Sequence, residues 1–306
     1  MCDHGAGPSI ERDGMTTGFT DIHCHGGGGY SFGDPNPEDV AKALAAHREQ
    51  GTTTQIASLV TEPLDVLKSQ IKNLIPFALN GSIAGIHLEG PYLSSAKCGA
   101  HDPKLLREPK LDEIKELIDA GQGHIRMVTI APELPGAIAA IELLRDLGVT
   151  VAVGHSNATA AEAISAISAG ATVVTHMFNA LPELDHRSAT ITNTLLVNPD
   201  IYFEIILDGV HVNHSAVELL LKLAPGRIIL VTDAMAAAGG SDGNYTIGDL
   251  AVQVENGVAT LASNGSLAGS TLTMDAAYNR FVNEFSVSPE AAQSAAIDLG
   301  KKALGI

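Results

Sequence analysis

The sequence has no tryptophan and only three cysteines, and its 18 lysines and arginines stand against 35 acidic residues, for a net charge of −17. So little positive charge opposes binding to a phosphate backbone and argues against nucleic acid as a partner. Cys2, Cys24 and Cys98 are odd in number, far apart and without a CxxC spacing. That excludes a disulfide framework and a zinc ribbon and points to a reducing compartment. No apolar run approaches the roughly 20 residues that span a bilayer. The opening Met1-Cys2-Asp3-His4-Gly5 also lacks a basic segment followed by an apolar one, so neither a membrane helix nor a secretory signal is expected, and a cytoplasmic protein is. Charge of either sign is sparse, 17% against 45% hydrophobic over 306 residues. This is the composition of a large packed core.

What is present is a recurring β-rich run followed by a helical stretch. Strands are predicted at Gly18–His25, Thr52–Leu59, Ile83–Glu89, Ile125–Ile130, Thr150–His155, Ala171–His176, Ile201–Asp208 and Arg227–Asp233. Helices are predicted at Pro37–Gln50 behind an Asn36 cap, at Ala160–Ala169 and at Ser215–Leu223. Eight such units imply an α/β fold, a (β/α)₈ barrel of the TIM type, with its chemistry at the C-terminal ends of the strands. After the eighth strand, Tyr245–Leu261 reads as a β-hairpin excursion turned at Asn256-Gly257. The expected division is an N-terminal extension at 1–17 and one barrel domain at 18–306.

The strand ends carry the chemistry. The first ends at His23 and His25, the third at Glu89, the fifth at His155, the sixth at His176 and the eighth at Asp233, with His211 just past the seventh. A single histidine there would be unremarkable core or surface; five strand ends selected together would not. Residues two apart in a strand face one side, so His23 and His25 can grip one ion while Cys24 faces away. Four glycines, Gly26 to Gly29, follow and let backbone approach a ligand closely. Glu89, His155 and His176 make the two-imidazole, one-carboxylate set of catalytic zinc sites. Imidazoles beside a bound cation serve better as neutral ligands than as second cations, so His23 and His25 imply a second divalent ion, bridged to the first through Glu89 or a hydroxide. Zinc or iron suits these nitrogen and oxygen donors. Asp233, delivered by a buried apolar strand, can take a proton from water at the ion. His87 is read as packing or as support for Glu89, and Lys97 as a solvated loop residue.

The motifs HCHGGGG, HLEGPYL, KCGAHDP, GHSNAT, THMFNAL, DGVHVN, VTDAM and LAGSTLTM, spread from Gly18 to about Ile306, resemble the N-acetylglucosamine-6-phosphate deacetylases of the amidohydrolase superfamily. The resemblance implies metal-dependent hydrolysis of the acetamide of N-acetylglucosamine 6-phosphate, with Glu89, His155 and His176 as metal ligands and Asp233 as catalytic acid and base. It further implies substrate contacts from Ala100, His101, Asn179, Ala180, Arg187, His211 and the Leu267-Ala268-Gly269 turn. By that matching His101 sits at the amide carbonyl, and Arg187 and His211 hold the phosphate. A homodimer is expected. Family members usually carry a flanking β-sandwich, most of which is expected to be missing here. The family also follows the arginine with Glu-Pro-Gly, where this chain has Ser188-Ala189-Thr190. Two readings compete: an amidohydrolase acting on a cyclic amide, and a catalytically silent barrel that binds a sugar phosphate.

Overall fold

The computed structural model describes the backbone of residues 10–12 and 15–306, with side chains from Gly18 onward. Eight strands form one parallel sheet: β1 (Phe19–Asp21), β2 (Thr52–Leu59), β3 (Gly85–Glu89), β4 (Ile125–Ile130), β5 (Thr150–Val153), β6 (Ala171–Val174), β7 (Tyr202–Ile206) and β8 (Ile228–Val231). Each pairs with its neighbours in sequence order, as successive βα units require. β3 and β8 are buried along their whole length, so their apolar runs need no polar face.

The sheet is a nearly closed barrel. β1 and β8 do not pair as strands, but from two residues beyond their ends the Asp233 N–H donates to the His23 carbonyl at 2.8 Å and the His25 N–H to the Ala234 carbonyl at 2.8 Å. Beside this seam the Thr232 hydroxyl donates to the buried Asp21 carboxylate.

Helices cover the outside: α1 (Pro37–Glu49), α2 (Leu64–Leu79), α3 (Leu111–Ala120), α4 (Ala137–Asp146), α5 (Ala160–Ala169), α6 (Ile191–Val197), α7 (His214–Leu223) and α8 (Met274–Phe285). Their starts are written locally. The Asn36 side chain accepts from the Glu38 N–H ahead of Pro37, and Thr159 with Glu162 forms a reciprocal capping box, each satisfying first-turn donors. α2 buries Leu67, Ile71, Leu74 and Ile75 along one stripe against the barrel. Each such burial contributes about 1.5–3 kcal/mol, and Ile71→Ala would cost roughly 2–5 kcal/mol by leaving a cavity. At the C-terminal end α9 (Pro289–Gln293) runs through a π turn (Ser294–Asp298) into α10 (Leu299–Leu304). It packs across the seam, where a Cβ on Gly300 would stand only 3.0 Å from Ile22 Cγ2.

Three details differ from the sequence reading. Between β8 and α8 the chain forms three antiparallel strands, β9 (Gly243–Ile247), β10 (Leu250–Glu255) and β11 (Val258–Leu261), where two alternating runs predict a hairpin. β9 is largely exposed and so lacks the alternation that announces a strand. In the extension, Ile10–Arg12 and Met15–Thr17 pair antiparallel, three-residue runs too short to show a period; its remaining residues lie outside the described ones. Finally, β5, β6 and β8 end at Val153, Val174 and Val231, two residues short of His155, His176 and Asp233. No helix among the described residues is long and apolar enough to cross a membrane.

Candidate metal centre

Those two residues matter because the chain leaves the ladder before it presents its ligands. His155, His176 and Asp233 have φ of 47°, 26° and 47°, the left-handed region in which non-glycine residues cost about 1–3 kcal/mol each. The turn swings each side chain over the barrel mouth, where an in-register strand would leave it in the wall.

Glu89 stands at the middle, 3% exposed, and its two oxygens face different partners. Oε1 lies 3.1 Å from His155 Nε2 and 3.0 Å from His176 Nε2. Oε2 lies 3.1 Å from His25 Nε2 and 3.5 Å from both His23 Nε2 and His101 Nε2. Asp233 Oδ1 completes the second set, 3.2 Å from His25 and 3.4 Å from His23. His23 and His25 Nε2 are 3.1 Å apart, and His155 and His176 Nε2 2.9 Å.

The far ring nitrogens decide what these short distances mean. His155 Nδ1–H donates to the Lys97 carbonyl at 2.9 Å. His23 Nδ1–H donates to the Glu204 carboxylate at 2.9 Å. In the neutral rings both Nε2 atoms therefore carry only a lone pair, yet they point at carboxylate oxygens and at the Nε2 atoms of His176 and His25 respectively. Burial, opposed by Glu89, pushes His155 down to about 4, so at that ring a proton does not resolve the conflict near neutrality. A divalent cation does: the residues form two converging nitrogen and oxygen donor sets that share Glu89, with the tautomers of His155 and His23 fixed from behind.

The remaining charges are set by the same cluster. Burial alone would raise Asp233, but His23 and His25 overcome it and hold the carboxyl at about 2; it is an ionised base. Burial depresses His23, yet Glu89, Glu204 and Asp233 outweigh it and raise the ring well above its usual range in the absence of an ion. His87, two residues below Glu89, is driven well below the usual range by burial and by His23. It bridges Ser58 and Thr129 at 2.9 and 2.8 Å, which makes it a buried support beneath the centre. Cys24 faces away and meets His47 at 3.2 Å.

The centre opens into a cavity of about 490 Å³ lined by Ala100, His101, Asn179, Ala180, His211, Leu267 and Gly269, together with Lys97. Ala268, fully buried, does not line it. His101 Nδ1 accepts the Thr61 N–H at 3.3 Å, which leaves its Nε2–H as a donor turned toward Glu89. His211 Nδ1–H donates to Asp208 at 2.6 Å; Asp208, raised by burial, is brought below its usual value by that contact. The structure does not bring Arg187 to this cavity. It is exposed, and its backbone and side chain are tied to Asp185 and His186 in a segment anchored to the α6 cap through Asn193. Lys97 takes the inward position instead, its Nζ donating to the Leu181 carbonyl at 3.0 Å. Glu204, fully buried in β7, is the functional residue that motif reading passes over. Its signal is a lone carboxylate inside the run Ile201-Tyr202-Phe203-Glu204-Ile205-Ile206-Leu207.

Residues 15–280 match the amidohydrolase family. The chain is 38% identical to N-acetylgalactosamine-6-phosphate deacetylase of Escherichia coli O157:H7, over 91% of this chain and 75% of that one. It is 35% identical to N-acetylglucosamine-6-phosphate deacetylase of Bos taurus, over 92% and 72%. Among solved structures it resembles a variant of N-acetyl-D-glucosamine-6-phosphate deacetylase from Mycobacterium smegmatis in complex with N-acetyl-D-glucosamine-6-phosphate, with a TM-score of 0.92, 43% identity, and 95% and 77% of the two chains covered.

Proposed function

The chain belongs to the amidohydrolase family, and we propose that it hydrolyses the acetamide of N-acetylglucosamine 6-phosphate to acetate and glucosamine 6-phosphate. The observation that carries this reading is Glu89 held between two imidazole sets, with the ionised Asp233 beside one of them and the His101 donor beside the same oxygen. A divalent ion bound there supplies Lewis acidity to water and to the amide carbonyl. Glu89, His155 and His176 would hold one ion, and His23, His25 and Asp233, through the other Glu89 oxygen, a second; zinc or iron fits the donors.

The chain's own residues do the rest. Asp233 accepts a proton from the attacking water and later delivers it to the departing amine, so one group serves as base and then as acid. His101 Nε2–H donates to the carbonyl oxygen as negative charge develops there. Lys97 and His211 give an acidic protein the local cation and donor that a phosphate requires. Arg187, assigned to the phosphate by residue matching, does not line this cavity within one chain. We read residues 18–306 as one metal-dependent barrel domain, residues 1–17 as an extension to it, and the protein as a cytoplasmic homodimer. The cyclic-amide and silent-barrel readings lack a comparable observation.

The test is acetate release from N-acetylglucosamine 6-phosphate beside metal analysis of the same preparation, with the galactosamine epimer and the unphosphorylated sugar as comparisons. Metal-dependent release that requires the phosphate supports the proposal. Metal and sugar binding without turnover would overturn it in favour of the silent barrel.

A further inference from the structure

A second cavity, of about 610 Å³, adjoins the metal centre from the other side. It lies between the loop after β2, the Ser31–Pro35 segment, α2 and the β9–β10 turn, and the two cavities meet at His25 and Ile247. Their linings differ in charge. The substrate side has Lys97 and His211 together with the centre's own Glu89 and Asp233; the other has Asp34, Glu62, Asp65 and Asp249, and no lysine or arginine among the described residues lines it.

Acidic side chains alone would mean little, since solvated carboxylates are common. Glu62 is different. It is only 8% exposed, its carboxylate has no hydrogen-bond or ion-pair partner among the described residues, and it lines the cavity. Gly248, at φ 52°, brings the β9–β10 turn so close that a Cβ there would meet Glu62 Oε1 at 3.0 Å. Burial and the neighbouring Asp249 both raise the carboxyl, the mark of negative charge held without a counter-ion. At the inner end His25 Nδ1 is also buried and without a partner.

We propose that this cavity is a cation-binding antechamber, with Glu62 and Asp249 as its transient ligands, through which a divalent ion reaches His25 and the metal centre without crossing the substrate cavity. The inference rests on the metal-centre reading above. Two openings of unequal charge suit a site that must admit an anionic substrate and a dication: the more acidic one attracts the ion and repels the phosphate, and the other offers Lys97 to the phosphate. Focusing of field lines by a low-dielectric cleft raises the rate of cation capture. Glu62, neither fully solvated nor fully paired, offers a weak stopping point rather than a trap.

The experiment measures Zn²⁺ association with the full-length chain after chelator treatment, by stopped flow at low ionic strength with a chromogenic zinc indicator. The double variant Glu62→Gln/Asp249→Asn should slow association about fivefold, the scale of removing two charges near the path of a dication, and flatten its salt dependence. Asp119→Asn/Glu142→Gln, the same charge change on the outer helices α3 and α4, should leave the rate unchanged. In crystals soaked with Cd²⁺, an anomalous peak beside Glu62 is expected in the parent chain and not in the first variant. Equal association rates in the parent and the Glu62/Asp249 variant overturn the proposal, as does equal slowing in both variants. Failure of the parent chain to take up any Zn²⁺ overturns the metal-centre reading along with it.

Discussion

Replacing Glu204 by glutamine tests how much of the centre is built from behind. Glu204 is fully buried; one oxygen receives the His23 Nδ1–H at 2.9 Å and the His176 backbone N–H at 3.2 Å, and the other has no partner. Glutamine has nearly the same shape, so the barrel should close as before, but its bond to His23 is between neutral groups. A hydrogen bond to a charged group contributes about 1.5–3 kcal/mol and a neutral one about 1. The difference, roughly 1–2 kcal/mol, is lost from the basicity and orientation of His23. Removing a carboxylate behind a metal-bound imidazole typically lowers metal affinity about 10–100-fold, and the 1–2 kcal/mol falls in the lower part of that range. Competition between the variant and a zinc chelator at pH 7 should therefore show affinity weakened about tenfold for the ion on the His23 side. At saturating zinc, kcat should remain within about threefold of the parent, because Glu204 touches no substrate. Unchanged affinity with an intact fold would refute the reasoning and make Glu204 a mere filler of the barrel.

Asp233→Asn should retain substrate binding and lower kcat by at least about a hundredfold, the usual scale for a positioned acid and base; near-normal turnover would remove it from the mechanism. Replacing His23 and His25 together by asparagine should reduce the metal content under saturating zinc from two ions per chain to one, and a parent value of one would end the two-ion proposal. Lys97→Ala should raise KM for the phosphorylated sugar more than Arg187→Ala does, since only Lys97 lines the cavity; the reverse order in steady-state kinetics would return the phosphate to Arg187. Thr232→Val should lower stability by about 2–3 kcal/mol in urea unfolding, because it strips a donor from the buried Asp21 carboxylate.

The eight βα units were legible because buried parallel strands read as short apolar β-branched runs, and β2 and β4 have the bounds the sequence implies. So was the placement of His23, His25, Glu89, His155, His176 and Asp233, all at the end of the barrel where chemistry gathers. The left-handed turns that carry His155, His176 and Asp233 were not: histidine and aspartate tolerate positive φ better than most residues, but that tolerance does not single out these three among the chain's other histidines and aspartates, and the turns are set by the assembled barrel mouth. Glu204 went unread because a single carboxylate in an apolar run gains meaning only once its partner, 181 residues away, is seen. The position of Arg187 outside the cavity depends on a loop anchored through Asn193 to the cap of α6, a contact that residue matching does not contain.

The seam between β1 and β8 also orders events in time. Glu89, His155 and His176 come from units that are near one another along the chain, whereas His23 and Asp233 meet only when the first and last strands join, through contacts spanning 211 residues at Asp21 and Thr232. Contacts of such separation close late in folding. The Oε1 half of the centre can thus exist in a chain whose ring is still open, while the Oε2 half exists only in the finished barrel. An ion held by the first half would accompany folding, and one held by the second would mark its completion. Refolding followed by pulsed hydrogen exchange in zinc would show this as protection of β3 to β6 before β1 and β8; simultaneous protection of all eight would show that the two halves form as one.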